Sequence, residues 1–204
     1  MYAHTYNNLI TGVSAFDNGG NFLYSDMSVG RNTYEKNIFY GQEGSNGNGG
    51  ALKNNCGKLN MGINNVVHRT NALTYAYGGC RAQDRKNPMS LENYNNIYIF
   101  DNMDGFEFGR ENDRYYDEQP DFHHNLYWSL NAGDEELPKF PDSLNWNEWQ
   151  ATGNDTGSLW QDPLFEDLST HNYILADESP AWELGIEQID MDNIGIKAKG
   201  KYHQ

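Results

Sequence analysis

Short runs of β-branched and aromatic residues alternate with polar stretches along the chain, and five of these runs follow an asparagine. They read YNNLITG, EKNIFYG, NNVVHRT, NNIYIFD and HHNLYWS, which places the matching asparagines at Asn8, Asn37, Asn65, Asn96 and Asn125. Their spacings of 29, 28, 31 and 29 residues are typical of a repeat architecture. Each run is too short for a helix and lies among Gly, Asn and Asp, so the pattern predicts strands between turns.

A second family of runs lies between the asparagines, at residues 20–27, 50–57, 74–81 and 105–112. These segments read GNFLYSDM, GALKNNCG, TYAYGGCR and GFEFGREN. Two short strands per repeat, variable loops and no helical pattern favour an all-β fold, a parallel β-helix whose coils stack about 4.8 Å apart. Asparagine then has a structural role, because it tolerates the left-handed turn conformation and stacked amides can form a hydrogen-bonded ladder.

The two cysteines give a second alignment of neighbouring coils. Matching GALKNNC with TYAYGGC places Cys56 and Cys80 at equivalent positions, which predicts a disulfide because stacked coils bring such Cα atoms close enough. Two buried free thiols are the alternative interpretation. A disulfide indicates an oxidising compartment, and the Asn-X-Thr acceptor at Asn154 is compatible with secretion. We therefore expect an extracellular protein.

Composition and charge restrict the partners. The chain has 204 residues, a net charge of -15 and a pI near 4.6. Nucleic acids and anionic membranes require basic patches, so neither is an expected partner. The sequence has no transmembrane run, and membrane insertion is not expected. The same charge disfavours a strongly polyanionic glycan unless a cation such as calcium intervenes.

From residue 129 onward the asparagine repeat stops, and tryptophans and turn signals become frequent. A solenoid needs its last coil covered to protect the open strand edges. We therefore expect residues 1–128 to form β-helix coils and residues 129–204 to form a Trp-rich C-terminal capping segment and tail within one structural domain.

The closing segment resembles a known family. HNLYW, TGNDTGSLWQDPLFED, YILADESPAWELG and IDMDNIG are similar to the ending of right-handed parallel β-helix proteins of the pectin-lyase-like superfamily. More narrowly, the chain resembles the β-helical glycoside hydrolases that include fucosidase and xylanase activities. FDNGGNFLYSD is similar to the Asp-x-Gly-Gly-x-x-Tyr coil of that family, and GALKNNCG stands in the place of its Gly-Ile-Tyr-x-Asp-x-Gly coil. The resemblance implies a right-handed solenoid, here with about 29 residues per coil, and carbohydrate as the substrate class.

Two departures from that family bear on activity and assembly. Lys53 and Asn54 stand where the relatives usually carry an acid. Relatives also carry further coils and an N-terminal cap, which predicts that Met1 begins a fragment or that another chain covers an open first coil.

Strand alternation predicts a sugar-binding surface on one parallel sheet. If Leu23, Leu52 and Ala76 point into the core, their neighbours face solvent together. These neighbours include Phe22, Tyr24, Lys53, Tyr75 and Tyr77. Sugar rings lie flat on aromatic rings, while nearby polar groups fix their orientation. A register error of one residue would instead place these tyrosines in the core.

Hydrolysis of a glycosidic bond requires two carboxyl groups, and the candidates near this surface are Asp17, Asp26, Glu107 and Glu111. We expect Asp17, Asp26 and Glu107 to act as acid, base or nucleophile, in roles that the sequence does not assign. Asp17 is carried over from the family-like FDNGG motif. The leading hypothesis is a glycoside hydrolase that acts on a neutral or weakly acidic polysaccharide.

Three alternatives remain open. The carboxylates can be ordinary solvated side chains of a silent carbohydrate-binding or structural β-helix. Lys53 can serve as the base of a calcium-assisted polysaccharide lyase. The chain can also assemble with itself or a partner through an uncovered first coil. Apart from calcium, no cofactor is expected. His123 and His124 precede Asn125 at a turn without ligand spacing, so no metal site is predicted.

Overall fold

The computed structural model describes residues 4–6, 9–11, 23–25, 31–41, 52–55, 60–69, 75–78, 91–100, 121–130 and 144–193. This part of the chain is mostly β and contains almost no helix. Its strands are β1 His4–Tyr6, β2 Leu9–Thr11, β3 Leu23–Ser25, β4 Thr33–Glu35, β5 Ile38–Gly41, β6 Leu52–Asn55, β7 Asn60–Ile63, β8 Val66–Arg69, β9 Tyr75–Gly78, β10 Leu91–Tyr94, β11 Ile97–Phe100, β12 Asp121–His123, β13 Leu126–Ser129, β14 Leu159–Trp160, β15 Phe165–Asp167 and β16 Asn172–Leu175.

Helical structure in the described ranges is short. The α-helix α1 spans Trp146–Ala151, and three 3₁₀ turns span Leu168–Thr170, Pro180–Trp182 and Met191–Asn193. Asn145 caps α1 in a reciprocal capping box with Glu148, which satisfies two backbone N–H groups at the start of the helix. No helix in these ranges is long and apolar enough to cross a membrane.

Equivalent strands of successive repeats pair in parallel to form three sheets. Sheet A contains β1, β4, β7, β10 and β12 in that order, and sheet C contains β3, β6 and β9. Sheet B runs from β2 through β5, β8, β11 and β13 to β14. Strands β15 and β16 form a separate antiparallel pair. The prediction of parallel strands is therefore confirmed at the level of the sheets.

The register of sheet B confirms the asparagine repeat. The residues that follow the matching asparagines pair in one continuous row of Leu9, Ile38, Val66, Ile97 and Leu126. Asn8 lies outside the described residues. The row then continues to Leu159, so the sheet has one strand more than the asparagine repeat indicates. Ser158 takes the place of the asparagine there, which is why the sequence pattern did not include this strand.

Four asparagines form the predicted ladder. The Nδ2 of Asn37 donates to Oδ1 of Asn65 at 2.9 Å, Asn65 donates in the same way to Asn96 at 2.9 Å, and Asn96 to Asn125 at 3.1 Å. Each accepting Oδ1 also receives the backbone N–H of the preceding asparagine, at 2.9–3.0 Å. All four side chains are buried, and the hydrogen bonds remove the cost of burying their amides.

The left-handed backbone conformation falls one residue before each ladder asparagine. Lys36, Asn64, Asn95 and His124 have φ between 53° and 56°, and Gly157 has φ 74°. The expectation that the ladder asparagine itself adopts this conformation is therefore wrong. A single left-handed residue turns the chain from sheet A into sheet B, and we call these five residues the corner residues. Asparagine is common there because it tolerates positive φ.

Both faces of sheet B are buried. One face carries the ladder asparagines together with Phe39, Val67, Tyr98 and Tyr127. The other face, which includes Ile38, Ile97 and Leu126, packs against residues of the C-terminal segment, including Tyr173, Leu175, Ala181 and Ile186. Burial of each such aliphatic side chain contributes about 1.5–3 kcal/mol. Part of the C-terminal segment thus covers the side of sheet B.

The corner residues also hold this C-terminal segment. Asn64 forms two hydrogen bonds with the backbone of Glu187, as donor to its carbonyl at 3.0 Å and as acceptor from its N–H at 2.7 Å. Asn95 donates to the carbonyl of Gly185 at 3.1 Å, and Lys36 pairs with the Glu187 carboxylate at 2.6 Å. Three successive corners therefore bind the segment 185–187, which we call the strap, through Gly185 and Glu187.

A buried carboxylate terminates the ladder. Asp155 accepts hydrogen bonds from the Tyr127 hydroxyl at 3.0 Å, the Trp149 indole at 2.6 Å, the Ser158 hydroxyl at 2.8 Å and the Asn125 amide at 3.4 Å. Burial raises the pKa of this carboxyl group, and the four hydrogen bonds act in the opposite direction. α1 supplies Trp149, which links the helix to the end of the stack.

Candidate functional site

The candidate site lies on one face of sheet A. Alternation buries Gly62, Asn93 and Phe122 on the opposite face. The positions on either side of them are half-buried or exposed, and we call their shared surface the outer face of sheet A. Its described residues form two rows along the stack, one of Thr33, Met61, Glu92 and Asp121 and the other of Glu35, Ile63, Tyr94 and His123.

Three side chains of different chemistry converge at the end of this face. Glu92 and Asp121 are register partners on β10 and β12, and His123 lies two residues after Asp121 on the same strand face. One ligand atom from each of the three lies within 4.8 Å of the others. His123 Nε2 is 3.6 Å from Glu92 Oε1. Glu92 and His123 are half-buried, whereas Asp121 is exposed.

Aromatic neighbours fix the ring of His123. It stacks on Tyr94 with the centroids 4.9 Å apart and an interplanar angle of 8°. Its Nδ1 lies 3.0 Å from Nδ1 of His124, whose ring stands edge-on to it. His124 in turn packs on Gly157, where an added Cβ would lie 2.8 Å from the His124 Nε2. The Nε2 of His123 is therefore the nitrogen that faces the carboxylates.

The potential on this face is negative. Desolvation raises the pKa of the Tyr94 hydroxyl, and the charges of Glu92 and Glu35 raise it further. Within the part of the chain that the structure describes, neither Glu92 nor Asp121 forms an ion pair with Lys or Arg. Two carboxylates held this close, with no Lys or Arg partner in the described ranges, favour a cation, a proton or the donor hydroxyls of a ligand.

Most of the residues predicted as the site from sequence lie outside the described residues. This holds for Asp17, Asp26, Glu107 and Phe22, and also for Cys56 and Cys80. The catalytic and disulfide predictions therefore remain predictions.

The other four predicted residues lie in sheet C, where the register differs from the alignment used above. Lys53 pairs with Tyr24 and with Ala76, and Tyr75 pairs with Leu52. The alignment that matched Lys53 with Tyr77 is thus wrong by one residue. The physical reason is that LKNN and YAYG carry no polar–apolar alternation that would exclude a slip of one residue, and the cysteines selected the other register. Tyr75 and Tyr77 do not share the register row of Tyr24 and Lys53.

The sequence contains a signal for Glu92, Asp121 and His123 that none of the predicted site residues reflects. Glu92 and Asp121 each lie four residues before a ladder asparagine, Asn96 or Asn125, and the segments ENYNN and DFHHN align. The repeat register alone predicts the two carboxylates as neighbours. The prediction that His123 lies at a turn is wrong, because His123 is the last residue of β12 and shares that strand with Asp121.

A second group of aromatic and histidine side chains lies between sheet B and the C-terminal segment. The Tyr173 hydroxyl is 2.9 Å from Nδ1 of His68 and 3.4 Å from Nδ1 of His171, whose ring stacks on Tyr40 at 4.0 Å. His68 and Tyr173 are buried. This group packs β16 against β8, and its polar atoms are used within the interface.

Comparison with known proteins gives no relative: no family model, no curated protein and no solved structure matches this chain. The fold and the outer face of sheet A are therefore the features that bear on function.

Proposed function

We propose that this protein is a carbohydrate-active, right-handed parallel β-helix and that it hydrolyses a polysaccharide bound along the outer face of sheet A. The solenoid is supported by three sheets whose parallel strands follow the repeat order of the sequence. The family resemblance of the closing segment supports both the handedness and the substrate class. An extracellular location agrees with this proposal.

The observation that carries the catalytic proposal is the carboxyl pair formed by Glu92 and Asp121. Their oxygens lie within 4.8 Å. Retaining glycosidases hold their two carboxyl groups about 5–5.5 Å apart, whereas inverting enzymes need about 6.5–9.5 Å to admit a water molecule. The short separation favours retention, with one residue as nucleophile and the other as acid and base. We therefore propose Glu92 and Asp121 in these two roles, unassigned between them.

The surroundings of the pair suit a sugar ring. Tyr94, Ile63 and Met61 are half-buried on the same face and offer apolar surface next to the carboxylates. Carbohydrate C–H groups pack on such surfaces, and the carboxylates accept hydrogen bonds from hydroxyl groups. The lyase alternative has less support, because the register partners of Lys53 on the described strands β3 and β9 are Tyr24 and Ala76.

The test combines glycan-array binding with reducing-end release on the same glycans. Glu92→Gln and Asp121→Asn should each reduce release by about 10²–10⁴-fold, because each removes one member of an acid–base pair. Binding should persist, since both replacements keep the side-chain shape. Glu178→Gln and Asp177→Asn are the matched controls, because they make the same chemical changes at exposed positions of the C-terminal segment. The sugar first released should have the same anomeric configuration as the bond that was cleaved, which is the outcome expected of a retaining enzyme.

Two results would count against the proposal. If the Glu92 and Asp121 variants release as much sugar as the control variants do, Glu92 and Asp121 are not the catalytic pair. Binding by the wild-type protein without release of any sugar would favour the silent carbohydrate-binding β-helix instead.

A further inference from the structure

We propose that Glu92, Asp121 and His123 form a binding site for a divalent transition-metal ion, with Zn²⁺ as the best-suited ion. The proposal goes beyond hydrolysis, and it rests on the donor set and its geometry. One imidazole nitrogen and two carboxylates lie within 4.8 Å of one another, so small side-chain rotations bring all three within the roughly 2.0–2.2 Å that Zn²⁺ requires. Three protein ligands leave coordination positions open for water or a hydroxyl group of a ligand.

The donor set selects the class of ion. Calcium and magnesium take oxygen ligands almost exclusively, and an imidazole ligand is unusual for them. An imidazole combined with carboxylates suits Zn²⁺ and its first-row neighbours. We therefore expect Zn²⁺ to bind more tightly than Ca²⁺ at this site.

The surroundings of His123 give independent support. Metal-bound histidines generally donate their second ring N–H to a neighbouring group, which fixes the tautomer and the ring orientation. His124, which is not a ligand, occupies this place with its Nδ1 3.0 Å from Nδ1 of His123. When His123 Nδ1 carries the proton and donates it to His124, the lone pair of Nε2 points at the carboxylates. Stacking on Tyr94 restricts rotation out of this orientation.

Electrostatics makes the apo arrangement favourable for a cation. His123 Nε2 and the Glu92 carboxylate lie 3.6 Å apart, and the carboxylate of Asp121 lies beside them. Neither carboxylate has a Lys or Arg partner among the described residues. A divalent ion neutralises both charges, and the strand pairing of β10 with β12 already holds the ligands in place. Little ordering is then required on binding.

Isothermal titration of the full, untagged, EDTA-dialysed chain with ZnCl₂ at about pH 7.5, where imidazole is ordinarily neutral, tests the site. Saturable binding of one equivalent is expected. Glu92→Gln, Asp121→Asn and His123→Asn should each weaken it at least about tenfold, the lower limit for loss of even a supporting residue. The matched controls Glu178→Gln, Asp177→Asn and His171→Asn should not, and His171→Asn is compatible with the left-handed backbone at that residue.

A second variant tests the orientation of the imidazole. His124→Gly suits the positive φ of that corner and removes the ring that engages His123. It should weaken Zn²⁺ binding by about 10–100-fold without removing a ligand. Thermal unfolding in EDTA verifies that each variant is folded before its affinity is compared.

Equal Zn²⁺ affinity in the wild type and the three ligand variants would overturn the proposal, as would the absence of binding at millimolar ZnCl₂. Tighter binding of CaCl₂ than of ZnCl₂ would also overturn it. These measurements use no glycan, so they can fail or succeed independently of the proposed hydrolysis. If both proposals hold, the bound ion occupies the catalytic carboxylates, and Zn²⁺ should inhibit sugar release in a manner that EDTA reverses.

Discussion

Replacing Asn96 by alanine tests the ladder most directly, because this side chain lies between two others of the same kind. Its Oδ1 accepts both the backbone N–H and the side-chain amide of Asn65, each at 2.9 Å. Its Nδ2 lies within hydrogen-bonding distance of the carbonyl oxygens of Gly62, at 3.0 Å, and of Tyr94, at 2.9 Å. Alanine removes all of these partners from a fully buried position.

The magnitude follows from the groups that lose their partners. The Asn65 amide retains a hydrogen bond to the Tyr34 carbonyl, but the Asn65 backbone N–H loses its acceptor. At least one buried carbonyl loses its donor as well. Each unsatisfied buried group costs about 1–3 kcal/mol, so Asn96→Ala should lower the free energy of unfolding by about 2–6 kcal/mol.

Two further variants make this prediction specific. Asn95→Gly changes the adjacent corner residue while keeping positive φ accessible, and it should cost at most about 1 kcal/mol because water can replace its hydrogen bond. Asn96→Ser should fall between the two, because Ser158 accepts the equivalent backbone N–H of Asn125 with its hydroxyl at 2.8 Å. Urea unfolding monitored by tryptophan fluorescence gives the three values. The reasoning is refuted if Asn96→Ala costs no more than Asn95→Gly.

Three other predictions concern Asp155 and the corner residues Asn64 and Gly157. Burial raises the pKa of Asp155, so the folded state holds the carboxyl proton more tightly than the unfolded state does. The stabilising effect of the protonated group is therefore lost as the pH rises above about 4. The difference in the free energy of unfolding between wild type and Asp155→Asn, measured by urea unfolding, should shrink from pH 4 to pH 7. Asn64→Gly should destabilise the protein more than Glu187→Gln, because it removes two hydrogen bonds to the backbone of Glu187. Glu187→Gln removes only the exposed ion pair with Lys36, which is worth about 0–1 kcal/mol. Equal urea midpoints for the two variants would contradict this. Gly157→Ala should lower the thermal midpoint, because alanine is strained at the φ of 74° that Gly157 adopts. It should also weaken Zn²⁺ binding, because the added Cβ would displace the His124 ring. Unchanged values in both assays would exclude the contact between Gly157 and His124 as a support of the site.

The repeat of sheet B could be predicted because asparagine followed by branched residues fixes the register at a single spacing. The ladder followed from the same alignment. The run IYIF at β11 also signalled burial on both faces, since a continuous apolar strand is typical of a covered parallel sheet. What covers the strand could not be predicted, because the C-terminal segment reaches it through contacts more than a hundred residues apart, such as that between Asn64 and Glu187.

Sheets A and C were harder to predict, for different reasons. In sheet C, LKNN and YAYG have no polar–apolar alternation that marks an inward face, so only the observed pairing distinguishes two registers one residue apart. In sheet A, strands such as LENY and DFH carry few apolar residues, so their outward side chains had no strong pattern to identify them. Glu92 and His123 meet because β10 pairs with β12, and a residue type alone does not reveal such a contact.

The asparagine ladder also has a direction. Every amide in it presents its oxygen toward the earlier repeat and its N–H toward the later one, from Asn37 to Asn125. The side-chain dipoles are therefore aligned head to tail and polarise one another, as in other hydrogen-bonded chains. Their positive end faces Asp155, and a carboxylate there is the electrostatic counterpart of an acidic residue at a helix N-terminus. The stack thus has an intrinsic polarity, and the amide at its positive end meets the buried acceptor Asp155 in place of a further asparagine.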